Sequence, residues 1–316
     1  MKATTALLAT LLVLVCVVLL APFVTRATTL PVEELFRLNF PRTVAAAVSG
    51  AALAAAGVVL QAVLRNPLAT PYTLGISSGA ALGAAGALKL EAVTMLVFLG
   101  VPGIELAALV GGLASAALVY GIARSRAELP AETLLLAGVA VALLAASGIA
   151  VLEFLSDTPD LAAIVRWSMG GISGIGWRPL VGTLPLIFLG FALFSLVAPD
   201  LDVASLDEES ARALGVDPVR TRRLAFLGAS LATSGVVAVA GPVGFVGLIV
   251  PHFVRRVVGA DHRVVLPCSA LAGGAFLVAC DALARTLFYP TELPINVVTS
   301  AIGCPTFIWI LARDRR

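Results

Sequence analysis

Charge is scarce in this chain of 316 residues: 13% are Asp, Glu, Lys or Arg, against about 25% in a soluble domain. So few charges cannot cover a surface for water, which excludes a water-soluble globular domain. There are two histidines, His252 and His262. They stand beside Arg255, Arg256 and Arg263, read as loop residues, and no metal site is expected from them. The four cysteines, Cys16, Cys268, Cys280 and Cys304, lie in apolar segments without paired spacing. They read as small buried hydrophobes rather than a disulfide or metal framework. Aromatic residues make up 6%. No G-x-x-x-x-G-K-[ST] or H-E-x-x-H occurs, so no nucleotide is expected to be hydrolysed on a P-loop here. A membrane-embedded enzyme would need a cluster of titratable groups in the apolar runs, and none is found. The net charge of +2 is uninformative, and no nucleic-acid partner is expected.

What is present is long apolar sequence. The chain is 59% hydrophobic, with a mean hydropathy of +1.03. Its runs match the roughly 20 helical residues that a bilayer demands. Abundant Ala and Gly let helices approach closely in lipid, and alternating strands of a barrel are missing. The expectation is an all-α polytopic membrane protein, a single transmembrane domain over residues 1–316. Breaks at Pro, Gly and charge give about ten spans: 4–24, 42–64, 73–89, 104–123, 131–155, 179–198, 221–241, 243–258, 264–288 and 294–312. The first run follows Lys2 and is long for a signal peptide, with a poor cleavage site after it, so it reads as an uncleaved span. Residues 92–103 are apolar but broken by Pro102 and Gly103, and could dip into the membrane or lie on it.

Lys and Arg set the orientation. With both termini in the cytoplasm, fourteen of the 21 basic residues fall inside and seven outside. The inner set is Lys2, Arg65, Arg124, Arg126, Arg212, Arg220, Arg222, Arg223, Arg255, Arg256, Arg263, Arg313, Arg315 and Arg316. The chain also echoes itself. GAALAAAGVV (50–59) and GASLATSGVV (228–237) share seven of ten residues, and Arg42-Thr43 and Arg220-Thr221 stand eight positions before each opening Gly. These are the second and seventh spans, so an inverted repeat of five plus five is expected.

Two polar intervals have definite chemistry. RNPLATPYTLGISSGA (65–80) stops an apolar helix with two prolines, which fix a turn, and then restarts with small residues. DLDVASLDEESARALGVDPVRTRR (200–223) is the longest inner polar stretch. Ser205 and Glu208 fit a capping box, Gly215 suits a C′ position, and Pro218 prevents continuation. A short helix, about 206 to 214, is predicted at the membrane surface, either as a linker or as a docking knob for a partner. Asp281 and Arg285 are i and i+4 on one span and can neutralise each other. Glu153 and Asp157 lie at a span end, which weakens an ion-coupled secondary transporter, the alternative from another class. With no charged ring in the spans, a pathway would be mostly apolar.

The stretches FPRTVAAAVSGAALAAAGVVLQAVLRNPLATPYTLGISSGA (40–80), AVAGPVGFVGLIVPHFVRRVVGADHRVVLPCSALAGG (238–274) and ELPINVVTSAIGCPTFIWIL (292–311) carry a resemblance. The chain resembles the membrane subunit of the FecCD-type ABC importers for iron–siderophore, haem and cobalamin, from Leu35 to Leu311. The resemblance implies a permease of ten helices per subunit and a homodimer with the pathway on its axis. It implies two ABC ATPase subunits that hold ATP and Mg, no cofactor in this chain, and a periplasmic or lipid-anchored binding protein. The location implied is the cytoplasmic membrane, and the cargo a metal chelate: an iron(III)–siderophore first, haem or cobalamin as alternatives. It places the ATPase-coupling helix at 205–215, with contacts from Ser205, Leu206, Glu208, Glu209, Ala211, Leu214 and Gly215. It makes Asn66, Pro67 and Leu68 part of a cytoplasmic gate, with Leu68 as plug. Arg42 and Arg285 match positions that grip carboxylates of the binding protein. Asn39 replaces a further arginine found in some relatives, and the nearby Arg37 is its substitute. Asn296 and Cys304 depart from a usual glycine and alanine.

Overall fold

The computed structural model describes residues 3–24, 31–98, 101–124 and 129–313. Lys2, Arg26, Arg126, Arg315 and Arg316, counted above for orientation, lie outside the described residues. The chain runs through α1 (Ala3–Leu20), α2 (Val32–Val63), α3 (Ile76–Leu88), α4 (Glu91–Thr94), α5 (Gly103–Arg124), α6 (Ala131–Phe154), α7 (Thr158–Ser168), α8 (Trp177–Val197), α9 (Leu201–Ala204), α10 (Glu208–Ala213), α11 (Pro218–Ala240), α12 (Val246–Val258), α13 (His262–Thr286) and α14 (Ile295–Arg313). Each of the ten expected spans falls on a helix. Seven of them, α1, α2, α5, α6, α8, α11 and α13, are long and apolar enough to cross a membrane. Helices α3 and α14 are shorter and apolar. Helix α12 has 13 residues and reaches about 20 Å.

Several boundaries differ from the sequence reading, for identifiable reasons. Helix α2 starts at Val32 rather than after Pro41, and Pro41 sits inside it. Proline removes one backbone donor but supplies a helical φ, and the hydroxyl of Thr43 donates to the carbonyl of Asn39 just there (3.0 Å). A helix of 32 residues is about 48 Å long, more than the roughly 30 Å of hydrocarbon. Residues 92–103 do not form a span. Beyond α4, Val97 and Phe98 pair antiparallel with Pro102 and Val101. The sequence reading also has no counterpart for α7, which packs on α3 and buries Ile164. His252 and His262 are helical, within α12 and at the first residue of α13, not in a loop.

The bundle is centred on α2 and α11, whose apolar windows are mostly buried, while α1 is mostly exposed. Leu8, Leu12 and Leu20 of α1 face outward, as lipid permits and water would not. The backbone of α2 approaches those of α12 and α13 closely. A methyl added to Gly57 would overlap the carbonyl of Gly247, and one on Gly50 that of Gly273. This is why small residues dominate the core: dispersion contacts between backbones replace a hydrophobic driving force that lipid does not offer. The end of α2 meets the start of α11, where the Arg222 Nε donates to the carbonyl of Val63 (3.4 Å). The two echoing helices therefore run in opposite directions, side by side.

Candidate functional site

At the end of the bundle where α2 stops and α11 starts, α9 and α10 form a small polar step. Its caps differ from the predicted capping box. The N-cap of α10 is Asp207, whose carboxylate accepts from the backbone N–H of Ser210 (2.9 Å). Ser205 instead closes α9, donating its hydroxyl to the carbonyl of Asp202 (2.7 Å). Serine and aspartate are comparable caps, but Ser205 is held in a helical conformation as the C-cap of α9, which leaves the N-cap to Asp207. The amide of Ser210 in turn holds the Asp207 carboxyl below its usual range. The stop is as expected. Gly215 has φ +84, its N–H donates to Arg212, and that of Val216 donates to Ala211 (both 3.0 Å). This paired stop satisfies two orphan carbonyls.

The residues expected to contact an ATPase divide into two sets. Ser205, Leu206, Glu209, Leu214 and Gly215 are exposed, with Leu206 at 45% and Leu214 at 64%. The two leucines flank the six-residue α10, one before its N-cap and one at its C-cap. Ala211 is fully buried, and a helix of this length buries one side, so it is removed from the contact set. Glu208 is also corrected. Its carboxylate turns inward to Arg222 Nη2 (2.7 Å) and sideways to Arg212 (3.3 Å). The hydrogen bond from Arg222 holds the Glu208 carboxyl below the ordinary glutamate value.

The turn after α2 lies against this step. Helix α2 ends in the same kind of stop as α10, but with Arg65 in the left-handed position, φ +48. The N–H of Arg65 donates to Ala62 and that of Asn66 to Gln61 (both 3.2 Å). Asn66 then folds the chain back: its Oδ1 accepts from Leu68 N–H (2.9 Å) and its carbonyl from Ala69 N–H (3.0 Å). Pro67 sets the φ between them. Leu68 is left 48% exposed at the tip. Thr70 and Thr73 exchange hydroxyl and amide hydrogen bonds (3.0 and 3.3 Å), and Gly75 at φ +75 launches α3. Arg65 Nη1 reaches the carbonyl of Leu206 (3.4 Å), so turn and step touch directly.

The opposite end of the bundle holds a charge cluster. Arg42 places Nε on Asp281 (2.9 Å) and Nη1 on Glu292 (2.9 Å). Arg285 stands 3.2 Å from the other Asp281 oxygen, and its Nη2 donates to the carbonyl of Ala21 (3.1 Å). Ser173 donates to Glu292 (2.8 Å). Burial pushes the Glu292 carboxyl up, but the hydrogen bonds from Arg42 and Ser173 win and leave it below its usual value. The i, i+4 pair of Asp281 and Arg285 is as expected. The expected display of Arg42 and Arg285 to a partner is not: they are buried, at 8% and 5% exposure, and are taken up by carboxylates of this chain. Arg37 is exposed on the outer turn of α2. Asn296 receives the N–H of Gly244 on its Oδ1 (2.9 Å). A cavity of about 670 Å³ opens beside the cluster, with Glu105, Arg166, Ser173 and Glu292 among its walls.

Two residues central to this geometry carry no signal of their own in the sequence. Arg222 sits among Arg220 and Arg223, yet it alone of the three is buried. Glu292 is the one acidic residue between α13 and α14, which hints at a role but not at Arg42 as its partner.

Comparison with known proteins agrees with this architecture. A cobalamin import system permease protein of Halobacterium salinarum is 45% identical over 280 residues, covering 88% of this chain and 73% of that protein. The Fe(3+) dicitrate transport system permease protein FecD of Escherichia coli is 39% identical, covering 89% and 86%. The hemin transport system permease protein HmuU of Yersinia pestis is 37% identical, covering 88% and 83%. A solved structure of a metal-chelate type ABC transporter in an inward-facing conformation superposes with a TM-score of 0.87 at 31% identity, over 98% of this chain and 99% of that one. The chain is thus a multi-pass permease of the cytoplasmic membrane and not an enzyme. With the model of the FecCD transport family matching residues 4–313, it belongs to that family.

Proposed function

We propose that this chain is the permease subunit of an ATP-driven importer that moves a metal chelate across the cytoplasmic membrane. The observation that carries the reading is the capped step at α10. It is built outside the apolar bundle, exposes Leu206 and Leu214, and touches the turn that ends α2. A chain without a P-loop that presents such a step receives its drive from separate ATPase subunits, which hold ATP and Mg. Ser205, Leu206, Glu209, Leu214 and Gly215 form the docking face, and Asn66, Pro67 and Leu68 the cytoplasmic gate. Ten spans with both termini inside, a five-plus-five inverted repeat and a homodimer complete the proposal. The antiparallel α2 and α11 and the bias of basic residues support the first two. At the outer face a substrate-binding protein delivers the chelate, with exposed Arg37 as one contact.

The cargo follows from similarity rather than from a pocket. Among the three named relatives the cobalamin permease has the highest identity, so a corrinoid is the reading supported best. An iron(III)–siderophore, expected from sequence, and haem are the other two. Binding of labelled cobalamin, haem and ferric siderophore to the cognate binding protein separates them. Uptake into liposomes should require the ATPase and binding protein together. Uptake by the purified chain alone, or driven by a proton gradient without the ATPase, would overturn the reading in favour of a secondary carrier.

A further inference from the structure

One buried side chain holds three chain segments at the docking end. Arg222, in the second turn of α11, is 2% exposed. Its Nη2 donates to Glu208, the first residue of α10 (2.7 Å). Its Nη1 donates to the carbonyl of Leu129, just before α6 (2.6 Å). Its Nε donates to the carbonyl of Val63, the last residue of α2 (3.4 Å). Leu129 is itself in the left-handed region, φ +46, a strained position for a leucine, and presents its carbonyl to the guanidinium.

We infer that Arg222 is the positioning residue that transmits movement of the α10 step to the gate turn. The inference rests on the docking and gate assignments above and deepens them. A planar guanidinium with donors in a fixed fork can hold three acceptors in one geometry, which a lysine cannot. Its partners are the docking step, the residue two positions before Arg65 of the gate turn, and the loop that enters α6. A displacement of Glu208 is therefore felt at Val63 through one rigid group, without passing through the apolar core. The exposed contact from Arg65 to Leu206 runs beside it but lies in water, where it contributes little. Arg220 and Arg223, on the exposed side of the same helix, serve as controls.

The test uses the assembled transporter in liposomes, with Arg222→Lys and Glu208→Gln compared with Arg220→Lys. A reporter at the gate, Leu68→Cys in a background with Cys16 and Cys304 replaced by Ala, is labelled with a maleimide with and without ATP. In both clamp variants the ATPase should copurify and hydrolyse ATP. Uptake should fall at least 10-fold, and ATP should no longer change the labelling of the gate cysteine. Arg220→Lys should match the native chain in all readouts. Uptake within twofold of native, or lost uptake with the ATP-dependent labelling intact, overturns the inference. If Arg222→Lys fails to accumulate in the membrane, Glu208→Gln alone decides, since it leaves the buried arginine on its two carbonyls. Should the native chain itself fail to copurify the ATPase, it is the docking reading that falls.

Discussion

Arg42 and Asp281 stand 239 positions apart and meet at 2.9 Å, both buried. With Arg285 and Glu292 they form a cluster of two positive and two negative groups that joins α2, α13 and the loop before α14. A buried charge in so apolar a chain persists only when it is balanced and hydrogen-bonded.

Removing one member should therefore be costly. Arg42→Ala leaves Asp281 with a single cation and is expected to destabilise by about 3–5 kcal/mol. The apparent melting temperature of the purified chain in detergent reads this out. The double change Arg42→Met with Asp281→Leu removes that pair but also strips Arg285 of its carboxylate, so it should recover only part of the loss. A single variant as stable as the native chain would show that the pair does not hold α2 to α13.

The same cluster has a pH signature. Glu292 has a folded value below its unfolded one. The stability it contributes is then complete above the ordinary glutamate range and is lost as pH falls through the lowered value. The gap in melting temperature between the native chain and Glu292→Gln should be widest near neutral pH and narrow below about pH 4. A gap that widens on acidification would reverse the assigned sign.

Close helix packing can be tested at a single glycine. In Gly57→Ala the new methyl meets the backbone of Gly247, which has no flexible end to yield. The cost expected is at least about 1–3 kcal/mol, seen as lower yield and lower melting temperature. Gly86→Ala is the control, since nothing stands within 4 Å of its added carbon, and alanine there favours the helix by up to about 1 kcal/mol. Equal behaviour of the two variants would mean that α2 and α12 are not in backbone contact.

The docking face should fail without loss of fold. Leu206→Asp and Glu209→Arg alter exposed side chains, so membrane levels should match the native chain. Copurification of the ATPase and uptake should each fall about 10-fold, equivalent to about 1.4 kcal/mol. Survival of both through both changes would place the motor elsewhere.

Much was legible without coordinates because a bilayer constrains sequence so strongly. The apolar runs marked ten helices to within a few residues, except α2, where Pro41 concealed ten further residues on its N-terminal side. Gly215 marked the end of α10 because only glycine takes a left-handed turn at little cost. The start was misread because both Ser205 and Asp207 are good caps, and which one caps depends on how α9 packs beneath them.

From composition and periodicity alone came the membrane, the helices, the polar step and the prolines of the turn, since each depends on neighbours in sequence or on the solvent. Only the fold decided that Arg42 and Arg285 are spent on Asp281 and Glu292, that Ala211 is buried, and that Arg222 rather than Arg220 or Arg223 turns inward. Those outcomes rest on which groups meet across the bundle. A charge has no preference written in the chain until packing supplies, or withholds, its partner.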